Sequence, residues 1–366
     1  MDIERMPARR MPPGRTIRRE LEARGWTQKD LAMIMGRPEQ AISEIINAEK
    51  QITPQTAIEL SKAFGTSAEF WINLEANYQL WLAAREEEPK PIERNARLYS
   101  LAPVSELKRL TWLPDTDDID ELERAYLDLM AIRSLDRTPS PVVSLRKSGV
   151  KDADSRHQVI WIKRVEHLVR DQRVGRFAAT SLKKAMPRLL QYSEKAEDAV
   201  EVPGFLMALG IRFALVPHLS KTYLDGAVFR LDGNPVVALT LRYDRVDCFW
   251  FTLTHELAHL VAGHQGAFLE TIYDRQGPVG REEAGADKLA RDWLVDPEKY
   301  NSFVERTRPS YSGRKIREFA GSIGRHPAIV LGRLQFDKEV GWKSLRSLLE
   351  KVKPVLRDFY DKPIAT

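Results

Sequence analysis

Phe249-Trp250-Phe251-Thr252-Leu253-Thr254-His255-Glu256-Leu257-Ala258-His259 is the stretch whose reading decides the fold. Its two histidines stand four apart, so on a helix they share one face. Both imidazoles can then bind a single cation, with Glu256 beside the open coordination position as a general base for an attacking water. Val246, Phe249, Trp250, Leu253, Leu257 and Leu260 recur at helical spacing. Phe251, Ala258 and Ala262 flank the histidine face, which predicts a helix apolar nearly all round and therefore buried. The predicted span is Arg245 to Ala262, with Asp244 as N-cap and Gly263 or Gly266 as the stop. A carboxylate on a buried face is costly without a partner, and a metal ion supplies one. The plainer alternative makes His255 and His259 hydrogen-bonded core residues.

A site of this kind takes a third protein ligand from elsewhere. His264 follows His259 by five and reads as a helix-end residue. Arg281-Glu282-Glu283-Ala284-Gly285-Ala286-Asp287 opens a second helix, on which Glu283 and Asp287 share a face. Glu283 is the expected ligand, with Asp287 accepting the free N–H of a ligating imidazole. Glu282 is the rival, and both glutamates could instead be solvated first-turn residues favoured by the helix dipole. The donor set suits Zn2+, while imidazole and carboxylate also accept Mn2+ or Fe2+. Tyr273, His218, Arg242 and Tyr243 are candidates to stabilise an oxyanion, and the sequence does not rank them.

At 366 residues with 43% apolar content the chain has material for two or three packed domains. One cysteine, Cys248, excludes an internal disulfide and fits a reducing compartment. No apolar run approaches membrane-spanning length and no secretory signal core is visible, so a soluble cytoplasmic protein is expected. The net charge of +5 is modest, but five arginines and no acid lie between Arg9 and Arg19.

That basic arm leads into a helical module. A helix from about Thr16 to Arg24 stops at Gly25, and Thr27 with Asp30 forms a capping box for Gln28 to Met35. Gly36-Arg37 makes a turn, and Pro38 opens a third helix with Ile42, Ile45 and Ile46 inward and small polar groups outward. This is the helix-turn-helix pattern. It makes Gln40, Ser43 and Asn47 candidates for base edges, and Gln28, Arg37, Arg15, Arg18 and Arg19 candidates for phosphate. A fourth helix begins at Thr53-Pro54. A fifth starts from a Thr66-x-x-Glu69 capping box and carries Phe70, Trp71, Leu74, Tyr78 and Trp81, enough apolar surface for a dimer or partner face. Residues 1 to 82 hold eleven basic and eleven acidic side chains, so electrostatics alone does not make the case for operator DNA, and a helical interaction domain is the plainer reading.

Thr27-Gln28-x-Asp30-Leu31-Ala32, Ile52-Thr53-Pro54-x-Thr56-Ala57-x-x-Leu60 and Phe70-Trp71-x-Asn73-Leu74 resemble the HigA-type antitoxins of the Xre helix-turn-helix class over about residues 14 to 82. The resemblance implies a homodimer that represses its own operator and neutralises a RelE-like toxin.

Glu86-Glu87-Glu88-Pro89-Lys90-Pro91 reads as a linker. Amphipathic stripes follow, Ile119, Leu122, Tyr126, Leu129 and Met130, then Val159, Ile160, Ile162, Val165 and Val169, with Pro139-Ser140-Pro141 between them; both stripes read as packing. Three strands are predicted, Ile211 to Val216, Ala227 to Leu231 and Pro235 to Leu241, the last two joined at Asp232-Gly233-Asn234. Asp225-Gly226, Pro235-Val236-Val237, the His255 to His259 signature and Glu283-x-x-Ala286-Asp287 resemble the ImmA/IrrE family of metallopeptidase-like proteins over about residues 200 to 300. That resemblance implies Glu283 as third ligand; Asp287 stands where the family has Asn. His326-Pro327-Ala328-Ile329-Val330 and the residues after it resemble members that carry a HigA-type module ahead of the peptidase.

The expected fold is therefore α+β and mostly helical, a helix-turn-helix module joined to a zincin-like domain with a small sheet beside the signature helix. The expected boundaries are 1–84, a linker at 85–97, a helical region at 98–200, a metallopeptidase core at 201–310 and a helical end at 311–366. Three functions follow: a zinc endopeptidase that cleaves an operon-encoded partner, a non-catalytic repressor and antitoxin whose body senses or scaffolds, and a pure interaction module.

Overall fold

A computed structural model describes residues 11–85, 91–137, 153–264, 266, 268–273 and 280–361. The chain divides into two units, Met1–Glu93 and Arg94–Thr366.

The first unit is built of five helices, α1 (Pro13–Arg24), α2 (Gln28–Met35), α3 (Glu39–Ile46), α4 (Pro54–Phe64) and α5 (Ala68–Arg85). Local chemistry sets their ends. Thr27 and Asp30 cap α2 reciprocally, and Gly36 leaves the helix at φ 63°, a left-handed conformation that glycine adopts without steric cost. Pro38 precedes α3 as its N-cap, one position earlier than expected. Thr53 caps α4 with Pro54 as its first residue. The expected Thr66–Glu69 box is replaced: Ser67 Oγ accepts the Phe70 N–H, while Thr66 Oγ1 accepts the Trp71 indole N–H at 2.7 Å. Leu31, Ala57 and Trp71 at 0% exposure, with Ile17, Ile42 and Leu60, form the core.

The division falls within the first turn of α6 (Pro91–Leu101), so residues read as the end of a linker are helical; Glu86 to Lys90 lie outside the described residues, as does Pro139-Ser140-Pro141. There follow α7 (Val104–Arg109), α8 (Ile119–Met130), α9 (Ser155–Val169), α10 (Ala179–Leu189), α11 (Glu201–Ala208), β1 (Arg212–Leu215), β2 (Gly226–Leu231), β3 (Asn234–Leu239), α12 (Val246–Ala262), β4 (Phe268–Glu270), α13 (Arg281–Leu294), α14 (Pro297–Thr307), α15 (Gly313–Ser322) and α16 (Pro327–Phe336). The sheet order is β1-β3-β2-β4, with β1 parallel to β3 and the other pairs antiparallel. Asp232 and Gly233, at φ 50° and 86°, make a two-residue hairpin turn whose twist matches the strands; Asn234 already pairs with Leu231. β4 was not expected, because three residues carry no readable alternation.

The strands are apolar on both faces because the sheet divides two cores. Phe213, Leu215, Val228, Val237 and Leu239 face a core shared with α12 and the C-terminal helices. Ala214, Ala227, Phe229, Val236 and Ala238 face one built from α8, α9 and their neighbours. Burying each large side chain stabilises the unit by about 1.5–3 kcal/mol. The stretches read as 98–200, 201–310 and 311–366 thus share one body: the last joins one of the two cores, while the first sends α8 and α9 into the other and Leu182, Met186 and Leu189 of α10 into the same one. The expected stripe of α8 is buried, and so is that of α9 except for Val159, which is half-buried.

Candidate functional site

The signature helix α12 runs from Val246 to a left-handed Gly263, within one residue of expectation. Asp244 is not its cap. Arg245 takes that position without a side-chain capping bond, and the Asp244 carboxylate accepts the backbone N–H groups of Val352 at 3.0 Å and Lys353 at 2.8 Å. The helix lies under β2 and β3 and against α13 and α16, which leaves His255 and Glu256 at 0% exposure and His259 at 1%.

Three ligand atoms converge. His255 Nε2 lies 3.2 Å from His259 Nε2, and Glu283 Oε2 lies 3.3 Å from the first and 3.5 Å from the second. A tetrahedral zinc with bonds of about 2.0–2.1 Å has ligand–ligand edges of about 3.3–3.4 Å. The donor set and its spacing therefore fit such an ion, and His255, His259 and Glu283 form a metal-capable group among the described residues. Glu283, rather than Glu282, is the acid brought to the histidines.

The far side of each imidazole has a partner. Asp287 Oδ1 stands 2.9 Å from His255 Nδ1, the position expected of it one turn after Glu283. His259 Nδ1 lies 2.8 Å from His264 Nδ1. His264 is thus more than a helix-end residue: with Nδ1 of each imidazole turned to a partner, both Nε2 atoms are left to face the common point. Phe268 of β4 stacks on His259, centroids 4.1 Å apart. Burial holds the His259 pKa below the ordinary imidazole value, with Glu283 opposing, which favours the neutral ring, the form a metal would require. His255 is closed off, but the Glu283 side chain is 19% exposed, so solvent reaches the group from the α13 side.

Glu256 packs against backbone. A methyl group built on Gly226 would come within 2.4 Å of Glu256 Oε1 and 2.8 Å of Thr252 Cγ2. The preceding residue, Asp225, is 4% exposed, and its Oδ2 accepts the N–H groups of Ile272 at 2.7 Å and Tyr273 at 3.1 Å. Asp225-Gly226 therefore ties down the chain after β4 and makes room for the glutamate, a pairing the sequence signals only through the absence of a side chain at 226.

The four oxyanion candidates separate. The Tyr273 hydroxyl donates to the Cys248 carbonyl at 3.3 Å, two turns before His255 and so about 10 Å along the axis at 1.5 Å per residue. Tyr243 stacks edge-on against Tyr273 at 4.8 Å, and Arg242 donates to the Tyr243 hydroxyl at 3.2 Å and the Tyr223 carbonyl at 3.1 Å. Burial, with Arg242 nearby, pushes the His218 pKa down to about 4. These contacts assign none of the four to the histidine group.

In the first unit, α2 and α3 meet at the Gly36 turn with α3 presenting Gln40, Ser43 and Asn47 outward. Residues 17–71 match the model of the helix-turn-helix family. Virulence-associated protein I of Dichelobacter nodosus is 32% identical over 84 residues, 23% of this chain and 76% of that protein. The chain belongs to the helix-turn-helix family. Virulence-associated protein A of the same organism is 41% identical over 61 residues, covering 16% of this chain and 60% of the relative. Antitoxin HigA-1 of Vibrio cholerae is 39% identical over 61 residues, covering 17% of this chain and 57% of the relative. The chain thus spans under two thirds of the length of these last two.

Within the helix-turn-helix module, several of the residues read as DNA contacts are paired with neighbouring side chains. Arg18 donates to Asn47 Oδ1 at 2.7 Å, Arg37 pairs with Glu59 at 2.5 Å, and Gln40 donates to Glu44 at 3.1 Å. Arg15, expected on an arm, lies on α1 with Arg18 and Arg19. Gln28 is the first residue of α2 and is half-buried. No helix among the described residues is long and apolar enough to cross a membrane.

Proposed function

We propose that this chain is a DNA-binding transcription regulator of the HigA antitoxin kind, acting as a homodimer on its operator, whose second unit is a metal-dependent endopeptidase of the ImmA/IrrE kind. Its substrate on this reading is an operon-encoded protein, a RelE-like toxin or a repressor. The observation that carries the enzymatic half is the convergence of His255 Nε2, His259 Nε2 and Glu283 Oε2 at 3.2–3.5 Å. The helix-turn-helix match and the likeness to an antitoxin support the regulatory half.

His255, His259 and Glu283 would hold the ion, with Asp287 and His264 keeping the rings oriented. Zinc bound there would supply Lewis acidity toward water and a scissile carbonyl. Glu256 is the proton carrier: adjacent in sequence to a ligand and shut away from bulk water, it takes the proton of the attacking water and returns it to the leaving amine. Mn2+ or Fe2+ would satisfy the same donors.

Two measurements test this. The purified protein is expected to carry about one divalent ion per chain by elemental analysis, absent from His259→Ala. Glu256→Gln is expected to keep the ion and the fold yet leave a co-expressed operon neighbour whole that the parent clips. Equal processing by both would make the chain a non-catalytic regulator with a sensing body. On DNA, Gln40→Ala with Asn47→Ala should change sequence preference, while Arg15→Ala should weaken all duplexes alike and lower the salt slope by about one. Unchanged operator preference in the double variant would remove α3 as the reading helix.

A further inference from the structure

A cavity of about 580 Å3 opens along the seam of α12, α13 and α16. It does not include the three metal-capable residues but continues their rows: Phe251 is one turn before His255 on α12, and Asp287 and Arg291 follow Glu283 at successive turns of α13. Its volume falls in the range of small-molecule pockets, about 300–1,000 Å3, and exceeds what one side chain fills. Most of the wall is apolar, and Phe336 and Trp342 stand at its rim 57% and 58% exposed. Large aromatic surface left open beside a cavity marks a place that ligands cover.

The charges are not equivalent. Arg245 is held by Asp247 through contacts of 3.0 and 2.6 Å, and Arg333 by Asp337 at 2.6 Å while lying 4.9 Å over Tyr300. Asp287 faces His255. Arg291 lies over the Phe336 ring at 5.0 Å and has no carboxylate partner among the described residues. Cys248 adds no charge, since burial pushes its thiol up to about 12. One guanidinium on an aromatic wall is thus left to meet a ligand's anion.

We propose that this cavity is an effector site for a small amphipathic anion, an aromatic or branched carboxylate, with its apolar part against Phe251, Ile329 and Trp342 and its carboxylate on Arg291. The site goes beyond the peptidase reading and does not depend on it.

The test is calorimetric titration of the full-length protein with 2-naphthoate, using 2-naphthalenemethanol as the uncharged match. The acid should bind at one site at least tenfold more tightly than the alcohol. Arg291→Gln should bring the acid down to the alcohol's affinity, Arg291→Lys should restore part of the difference, and Trp342→Ala should weaken both. His259→Ala should bind the acid as the parent does, so failure of the metal centre leaves this proposal standing. Equal affinity for acid and alcohol, full acid affinity in Arg291→Gln, or no heat at millimolar acid would overturn it.

Discussion

The two units assemble polar side chains in opposite ways. In the helix-turn-helix module the candidate contacts are on the surface, paired loosely with neighbours, as Arg18 is with Asn47 and Gln40 with Glu44. Such pairs contribute about 0–1 kcal/mol and exchange readily for a phosphate or a base edge. In the second unit His255, Glu256 and His259 are buried to within 1% exposure, where an unmatched polar group costs about 1–3 kcal/mol or more. A surface can be re-partnered by its ligand; a buried group must be built around its occupant. Recognition by the first unit should therefore tolerate single changes that the second cannot.

The largest effect that sharpens this contrast is expected at Gly226. Gly226→Ala should displace Glu256, because its methyl group would lie 2.4 Å from Oε1 and 2.8 Å from Thr252 Cγ2. Overpacking of this kind costs about 1–3 kcal/mol. On the proposed endopeptidase reading, cleavage of the partner should fall by about two orders of magnitude, the scale of lost general-base catalysis, with any bound ion retained. Parental melting temperature together with parental cleavage would show that the two residues do not compete for space.

A middle-sized effect is expected at Thr27. Thr27→Ala removes the capping box of α2 and should destabilise the first unit by about 1 kcal/mol, read from its denaturant midpoint, while the metal content of the second unit stays the same. A shift in both units at once would mean that they unfold together.

The smallest effect concerns pH. His218 is held neutral in the fold, its pKa down at about 4 from an ordinary 6.5, and its Nε2 is buried without a hydrogen-bond partner among the described residues. Between those values the unfolded chain takes up a proton that the folded one refuses, so stability is full above pH 6.5, declines toward pH 4 and then levels. His218→Gln should flatten part of that decline in a series of melts, and an unchanged slope would assign it to other groups.

Much of this was legible because it is local. The caps at Thr27 and Thr53, the Gly36 turn, the Asp232-Gly233 hairpin and the span of α12 each depend on residues within a few positions, and each is found within about one residue. Misreadings were local contests decided elsewhere. Asp244 had the chemistry of a cap, but two N–H groups more than a hundred residues away took its carboxylate. Thr66 was drawn to an indole, leaving the cap to Ser67.

By itself, then, the sequence determined that α12 would bury two histidines and a glutamate on one helix, because helical periodicity puts residues four apart on one face whatever surrounds them. It also determined the helix-turn-helix module, whose caps and glycines act over single turns. The tertiary structure decided between Glu283, which the sequence favoured, and its rival Glu282, and it alone showed that His264 stands behind His259 and that Gly226 is empty for the sake of Glu256. The first and last of those relations join segments about twenty-four to thirty residues apart through packing across a sheet and between helices, while His264 meets His259 five residues on through the turn that ends α12; steric fit of either kind leaves no period in the chain to be read.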